Sequence, residues 1–181
     1  MKDQIETNKA LQAFGTDLVE YAQGQLKVTR TIRGRKVTRT ATGTLGNSLF
    51  YQVIKRREAY RIELGAKGAG GRYAAFIHEG VNGTEVQVGS PYSFRGKFVN
   101  IEAVKAWMRV KPVRLRNADG QFIPNTEANF NSAAFIIARG IAKNGIPPVP
   151  YFQEAADRIY PKHEQALADA MAKDSIKWLS Q

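Results

Sequence analysis

The chain has 181 residues, no cysteine and a formal net charge of +11. That length suits a domain that buries its own core without a covalent staple. The lack of cysteine excludes disulfides and thiolate-bound zinc, and two histidines leave little for any other nitrogen-ligated metal. No apolar run approaches the ~18–20 residues of a membrane span. The opening residues are polar, so the expectation is a soluble, unexported protein drawn to polyanions.

In chain order, Leu11, Phe14, Leu18, Ala22 and Leu26 recur at helical spacing and predict an amphipathic helix from Ile5 that closes near Gly24. The next stretch, VTRTI-RGRK-VTRTA, predicts a β-hairpin turning at Gly34, rich in strand-forming Val and Thr. Thr44 to Ser48 reads as a short turn or helical turn. SLFYQVIKR and AYRIELG form a strand pair, in which Tyr60, Ile62 and Leu64 alternate as on a half-buried strand. Gly68, Gly70 and Gly71 read as a flexible lead-in to a short helix, YAAFIHEG, ending at Gly80.

Residues 81–99 read as loop, with turns at Asn82-Gly83 and Ser90-Pro91. Asn100 is placed to cap a helix over NIEAVKAWMRVK, which Pro112 ends. VRLRNADGQFIP predicts a hairpin about Asp119-Gly120. NFNSAAFIIARGIAKNG predicts a core helix with Phe130, Ala134, Ile137 and Ile141 on one side and Gly145 as its cap. After the prolines, Phe152 to Leu179 is helical, with a kink or break expected at Pro161. The fold class that follows is α+β: a small antiparallel sheet with hairpins, packed against an N-terminal helix and C-terminal helices. A single domain over 1–181 is expected, with a projecting basic hairpin at 27–40 and a possible insertion at about 81–127.

Catalytic signatures are missing. His78 and His163 each precede Glu, but neither begins an H-E-x-x-H pattern. No acidic loop resembles an EF-hand, GAKGAGG lacks the Lys-Ser/Thr of a P-loop, and no G-x-S-x-G elbow occurs. Glu79 and Glu85 flank the loop GVNG, and Glu79 reads as a local cap or a partner for an arginine. The sequon Asn82-Gly83-Thr84 reads as chance. The expectation is therefore no enzyme, no catalytic residue, no metal and no cofactor.

Charge is unevenly spread. No acid lies between Glu20 and Glu58, while Lys27, Arg30, Arg33, Arg35, Lys36 and Arg39 fall on or beside the predicted ribbon, with Lys55, Arg56 and Arg57 further on. The six ribbon residues are candidate contacts for DNA or for an acidic protein. A solvated hairpin whose charge only aids solubility is the alternative. Helical DNA-reading motifs do not fit a segment that alternates like a strand.

Three segments, in order, resemble the neck or tail-completion family of tailed bacteriophages. They are TGTLGNSLFYQVI with Gly43, Leu45, Asn47 and Ser48; YAAFIHEGVNG with Tyr73, Ala74, Glu79 and Gly80; and AFIIARGIAKNGIPPVPYF with Gly145, Pro147, Pro148, Pro150, Tyr151 and Phe152. The likeness covers roughly residues 40 to 180, and the ribbon at 27–39 and FIPNTEAN fall outside it. It implies a structural virion protein at the head–tail joint. Such a protein forms a homo-oligomeric ring between capsid connector and tail, lets DNA pass, and resides in host cytoplasm during assembly.

On that reading the prolines act as a stiff polyproline-like rod that sets the angle of the last helix. Loops near Arg33–Lys36, Ala66–Arg72 and Val81–Lys97 would order on assembly. Neighbouring ring proteins are the favoured partners for the basic residues, since a DNA passage should not grip its cargo. The competing readings are a nucleic-acid-binding module built on the basic hairpin, and an enzyme whose site the sequence hides.

Overall fold

A computed structural model describes residues 5–32, 35–38, 43–56, 59–111 and 113–180, with backbone alone at 32 and 35–38. In chain order the elements are α1 (Ile5–Lys27), β1 (Thr29–Ile32), β2 (Arg35–Thr38), α2 (Thr44–Ser48), β3 (Leu49–Arg56), β4 (Ala59–Ala66), α3 (Gly68–His78), α4 (Ile101–Val110), α5 (Glu127–Asn144) and α6 (Tyr151–Leu179). β1 pairs with β2, and β3 pairs antiparallel with β4, Val53 facing Ile62. The class is α+β, as the sequence predicts. The chain divides into two compact units. One holds Met1–Thr29, Thr44–Ala74 and Pro150–Gln181, and the other holds Arg30–Gly43 and Ala75–Val149. The expected insertion at 81–127 lies wholly inside the second.

In the first unit α1 lies antiparallel to α6. Thr7 meets Asp174 at one end, while Asp17 bonds His163 at 2.8 Å further along. Thr7, Gly15, Leu18, Ala22 and Leu26 form the buried stripe of α1. The helix runs past Gly24 to Lys27, three residues beyond the expected end. Leu26 is buried, and hiding a leucine contributes roughly 1.5–3 kcal/mol. That outweighs the ~1 kcal/mol cost of one helical glycine. At Gly15 the bare backbone admits the ring of Tyr51 from β3, whose hydroxyl donates to Gln12 Oε1 at 2.9 Å. This contact seats the β3–β4 hairpin on α1.

α6 passes through Pro161 as one continuous helix, so of the expected kink or break the break does not occur. Pro161 removes the amide that would have bonded the Asp157 carbonyl. Both residues are exposed, so water can serve that carbonyl. Ala155 and Ile159 before the proline and Ala170 and Asp174 after it are all buried, so burial holds both halves. Phe14 of α1 reaches across to this stretch, edge-on to Tyr160 and 5.5 Å from the His163 ring.

α3 also corrects the sequence reading. The glycines expected as a flexible lead-in form its first turn. A Cβ at Gly70 would collide with the Ser48 side chain and lie 3.2 Å from Leu45 Cα. These small residues therefore let α3 approach α2 closely, and Lys67 N–H donates to Ser48 C=O at 2.9 Å beside them.

In the second unit, Val104 and Met108 of α4 meet Ala134 and Ala138 of α5 across a core shared with Leu115. The two alanines, one turn apart, let the helices come close. Asn100 caps α4 by accepting the Ala103 amide at 3.1 Å, as expected. The hairpin about Asp119-Gly120 is present, with Arg116 opposite Phe122 and Ile123 N–H donating to Leu115 C=O. Pro112 lies outside the described residues.

Candidate functional site

The six predicted ribbon contacts are only partly in view. Lys27 is exposed at the end of α1, and Arg30 lies half-buried on β1. Arg35 and Lys36 fall on β2, while Arg33 and Arg39 lie outside the described residues. The ribbon exists as β1 and β2, but a shared side-chain surface is not among the described features.

The second and third motif segments, by contrast, converge. α3 ends at His78, and Gly80 turns the chain with φ +75°. The next residue, Val81, exchanges two backbone bonds with Ile146, at 2.8 and 2.7 Å. Upstream, Ile77 C=O accepts the Val149 amide at 2.9 Å. Downstream, the amides of Thr84, Glu85 and Val86 donate to the carbonyls of Ala142 and Lys143, which end α5. These carbonyls have no intrahelical partner, so the loop caps the helix. Lys143 then pairs with Glu85 at 2.9 Å.

Both glycines at this joint are required. A Cβ at Gly80 would lie 2.5 Å from Ile146 O and 2.8 Å from Pro148 N. Gly145 has φ +74°, and a Cβ there would strike Val81 O. Residues 145–149 are thus not a free-standing rod, as the prolines suggest, but a strand-like segment bonded at Ile146 and Val149. Loop 81–94 is likewise knit together by its own hydrogen bonds. Buried Asn82 receives the amides of Val88 and Ser90 on Oδ1 and donates Nδ2 to Ser90 O and Ser93 Oγ.

Beyond the prolines, in the first unit, Tyr151 opens α6 at 1% exposure and donates its hydroxyl to Ala74 O at 3.3 Å. Burial pushes the pKa of that hydroxyl up to about 12. Phe152 packs on it with centroids 4.6 Å apart. Tyr73 is half-buried on α3. Glu79 is exposed, and among the described residues the ionic partner it meets is His78 at 3.9 Å. In the first unit the first motif is also structural: Leu45 is buried, and Ser48 Oγ donates to Leu45 O at 2.7 Å.

The clearest electrostatic feature among ionisable groups is Asp174. Burial pushes its carboxyl up, but the Thr7 and Glu6 amides and the Lys177 ammonium pull harder, leaving it below the ordinary carboxylate value. Its oxygens accept the Thr7 amide at 2.8 Å and the Glu6 amide at 3.3 Å, so an α6 side chain caps α1. Among the described residues no group of three or more His, Asp or Glu could hold a metal ion, and no helix is long and apolar enough to cross a membrane. No family model matches the chain, and neither a curated protein nor a solved structure matches it.

Two features escaped the sequence reading. Asn82 organises its loop, where local pattern shows only a turn and a chance sequon. The charge also divides by unit. The second unit carries 14 basic and 5 acidic residues, hence +9 of the total +11. Nine of those bases lie at Arg95 and beyond, outside the predicted ribbon. That signal is legible as composition, but helices and loops interrupt it, so it forms no run.

Proposed function

We propose that this chain is a non-catalytic structural protein of the neck of a tailed bacteriophage, joining capsid connector to tail as a ring of copies. The carrying observation is the convergence of two segments of the resemblance. Gly80, Val81, Gly145 and Ile146 meet backbone to backbone, and Val149 bonds Ile77. Residues used this way direct the path of the chain, and none is held as a proton donor, nucleophile or ligand. A fold that spends its recognisable residues on architecture suits a part whose work is to fit neighbours.

A second feature supports docking between copies. Met171, Ile176, Trp178 and Leu179, near the end of α6, stand 58%, 65%, 71% and 76% exposed. Large apolar groups gathered at one end mark interaction surfaces. Rings form from head-to-tail contacts between unlike faces. The deciding experiment removes the gene from the phage that carries it and images the lysate. Filled heads and free tails that fail to join are expected, and normally joined particles would overturn the reading.

A further inference from the structure

We propose that the hairpin around Asp119-Gly120 presents an arginine–phenylalanine face that contacts the phosphate backbone of nucleic acid. The proposal does not depend on the neck reading, and it concerns residues other than those of the ribbon at 27–39. The hairpin is two-faced. Leu115 enters the core of the second unit with Ile123 packed beside it, so alternation turns Arg114 and Arg116 the other way. Phe122 stands directly opposite Arg116 and is 56% exposed.

The two guanidiniums are held rather than loose. Arg116 lies 3.9 Å from the Phe122 ring centroid and donates Nη1 to Gly120 O at 2.6 Å, while Arg114 lies 5.7 Å from the same ring. Both arginines are exposed, and among the described residues neither meets a carboxylate. Stacking on a ring leaves the edge of a guanidinium free to donate, in the fork geometry that fits phosphate.

The surroundings extend the same sign. Residues 95–116 carry seven bases against one acid, Glu102, which Lys105 neutralises at 2.8 Å. Arg109 is similarly exposed and stands over the Phe130 ring at 5.6 Å. Positive charge of this density favours a polyanion with regularly spaced charges. A guanidinium fork fits carboxylate and phosphate alike. What favours nucleic acid is the density of like charge, seven bases to one acid over residues 95–116, which suits the regular phosphate spacing of a nucleic-acid strand.

The test uses the full chain and a fluorescein-labelled duplex of about 30 base pairs, followed by anisotropy between roughly 50 and 200 mM salt, where phosphate contacts weaken steeply. The double variant Arg114→Ala, Arg116→Ala is compared with Arg158→Ala, Lys162→Ala, which removes two exposed charges from α6. The first pair is expected to reduce the slope of log affinity against log salt by about 2, one unit for each phosphate no longer neutralised. The second pair should leave it unchanged. Circular dichroism should keep the folded spectrum for both pairs, and Tm should fall slightly for the first pair alone, which gives up the Arg116 bond to Gly120 O and the contacts with the Phe122 ring. Equal slopes for the two double variants would overturn the proposal. So would tighter binding of poly-glutamate than of the duplex at equal salt.

Discussion

Gly80→Ala probes the joint between the α3 loop and the proline segment. Two costs combine. An L-residue at φ +75° is strained by roughly 1–2 kcal/mol. The new methyl would also lie 2.5 Å from Ile146 O and 2.8 Å from Pro148 N, both backbone atoms that move only with their segment. Overpacking of this kind costs about 1–3 kcal/mol. Gly120 separates the two effects, because it has φ +81° but nothing within 4 Å of an added Cβ. Gly120→Ala should therefore show the strain alone, about 1–2 kcal/mol. Urea denaturation followed by circular dichroism should place Gly80→Ala a further ~1–3 kcal/mol below it. Amide exchange at Val81 and Ile146 should accelerate in Gly80→Ala only. Equal costs for the two variants, with unchanged exchange, would refute the claim that this glycine exists for close approach.

Other perturbations test the first unit. Gly24 is exposed within α1, and an added Cβ meets nothing within 4 Å, so Gly24→Ala should stabilise the chain by about 0.5–1 kcal/mol in urea titration. Tyr151→Phe leaves the ring in place but removes the bond to Ala74 O, and should cost about 0.5–1.5 kcal/mol at neutral pH. Because burial raises the Tyr151 hydroxyl to about 12, the unfolded chain ionises first. The native chain should therefore lose stability as pH climbs from the ordinary tyrosine value of ~10 towards the folded value. Tyr151→Phe lacks this loss, so the gap between the two melting curves should close with rising pH. For Asp174 the sign is reversed, because its folded pKa is lowered and its stabilisation exists only while it is ionised. Asp174→Ala should lower Tm at pH ~7, and the deficit should shrink as pH falls below ~4, through the folded pKa.

Most elements could be read from local pattern alone. The α1 stripe, the β3–β4 pair, the Asn100 cap and the Gly145 stop each depend on residues within a few positions of one another, where helical and strand periods and cap chemistry act directly. The readings that failed needed distant partners. Local rules end α1 at Gly24, but Leu26 finds a core and carries the helix on. They break α6 at Pro161, but burial on both sides keeps the helix whole. They loosen Gly68–Gly71, but Ser48 and Leu45 lie against that turn. They make a rod of the prolines, but Val81 and Ile77, far back in the chain, supply its bonds. Composition and local pattern by themselves determined that the chain is basic, lacks cysteine and belongs to the α+β class. Tertiary structure alone decided that Gly80 and Gly145 meet the same strand-like joint, that Asp174 caps a helix it is not part of, and that Arg114 and Arg116 share one ring. The physical reason is that periodicity records which face a residue turns inward. The partner it finds there is chosen by close packing, which no short stretch of sequence contains.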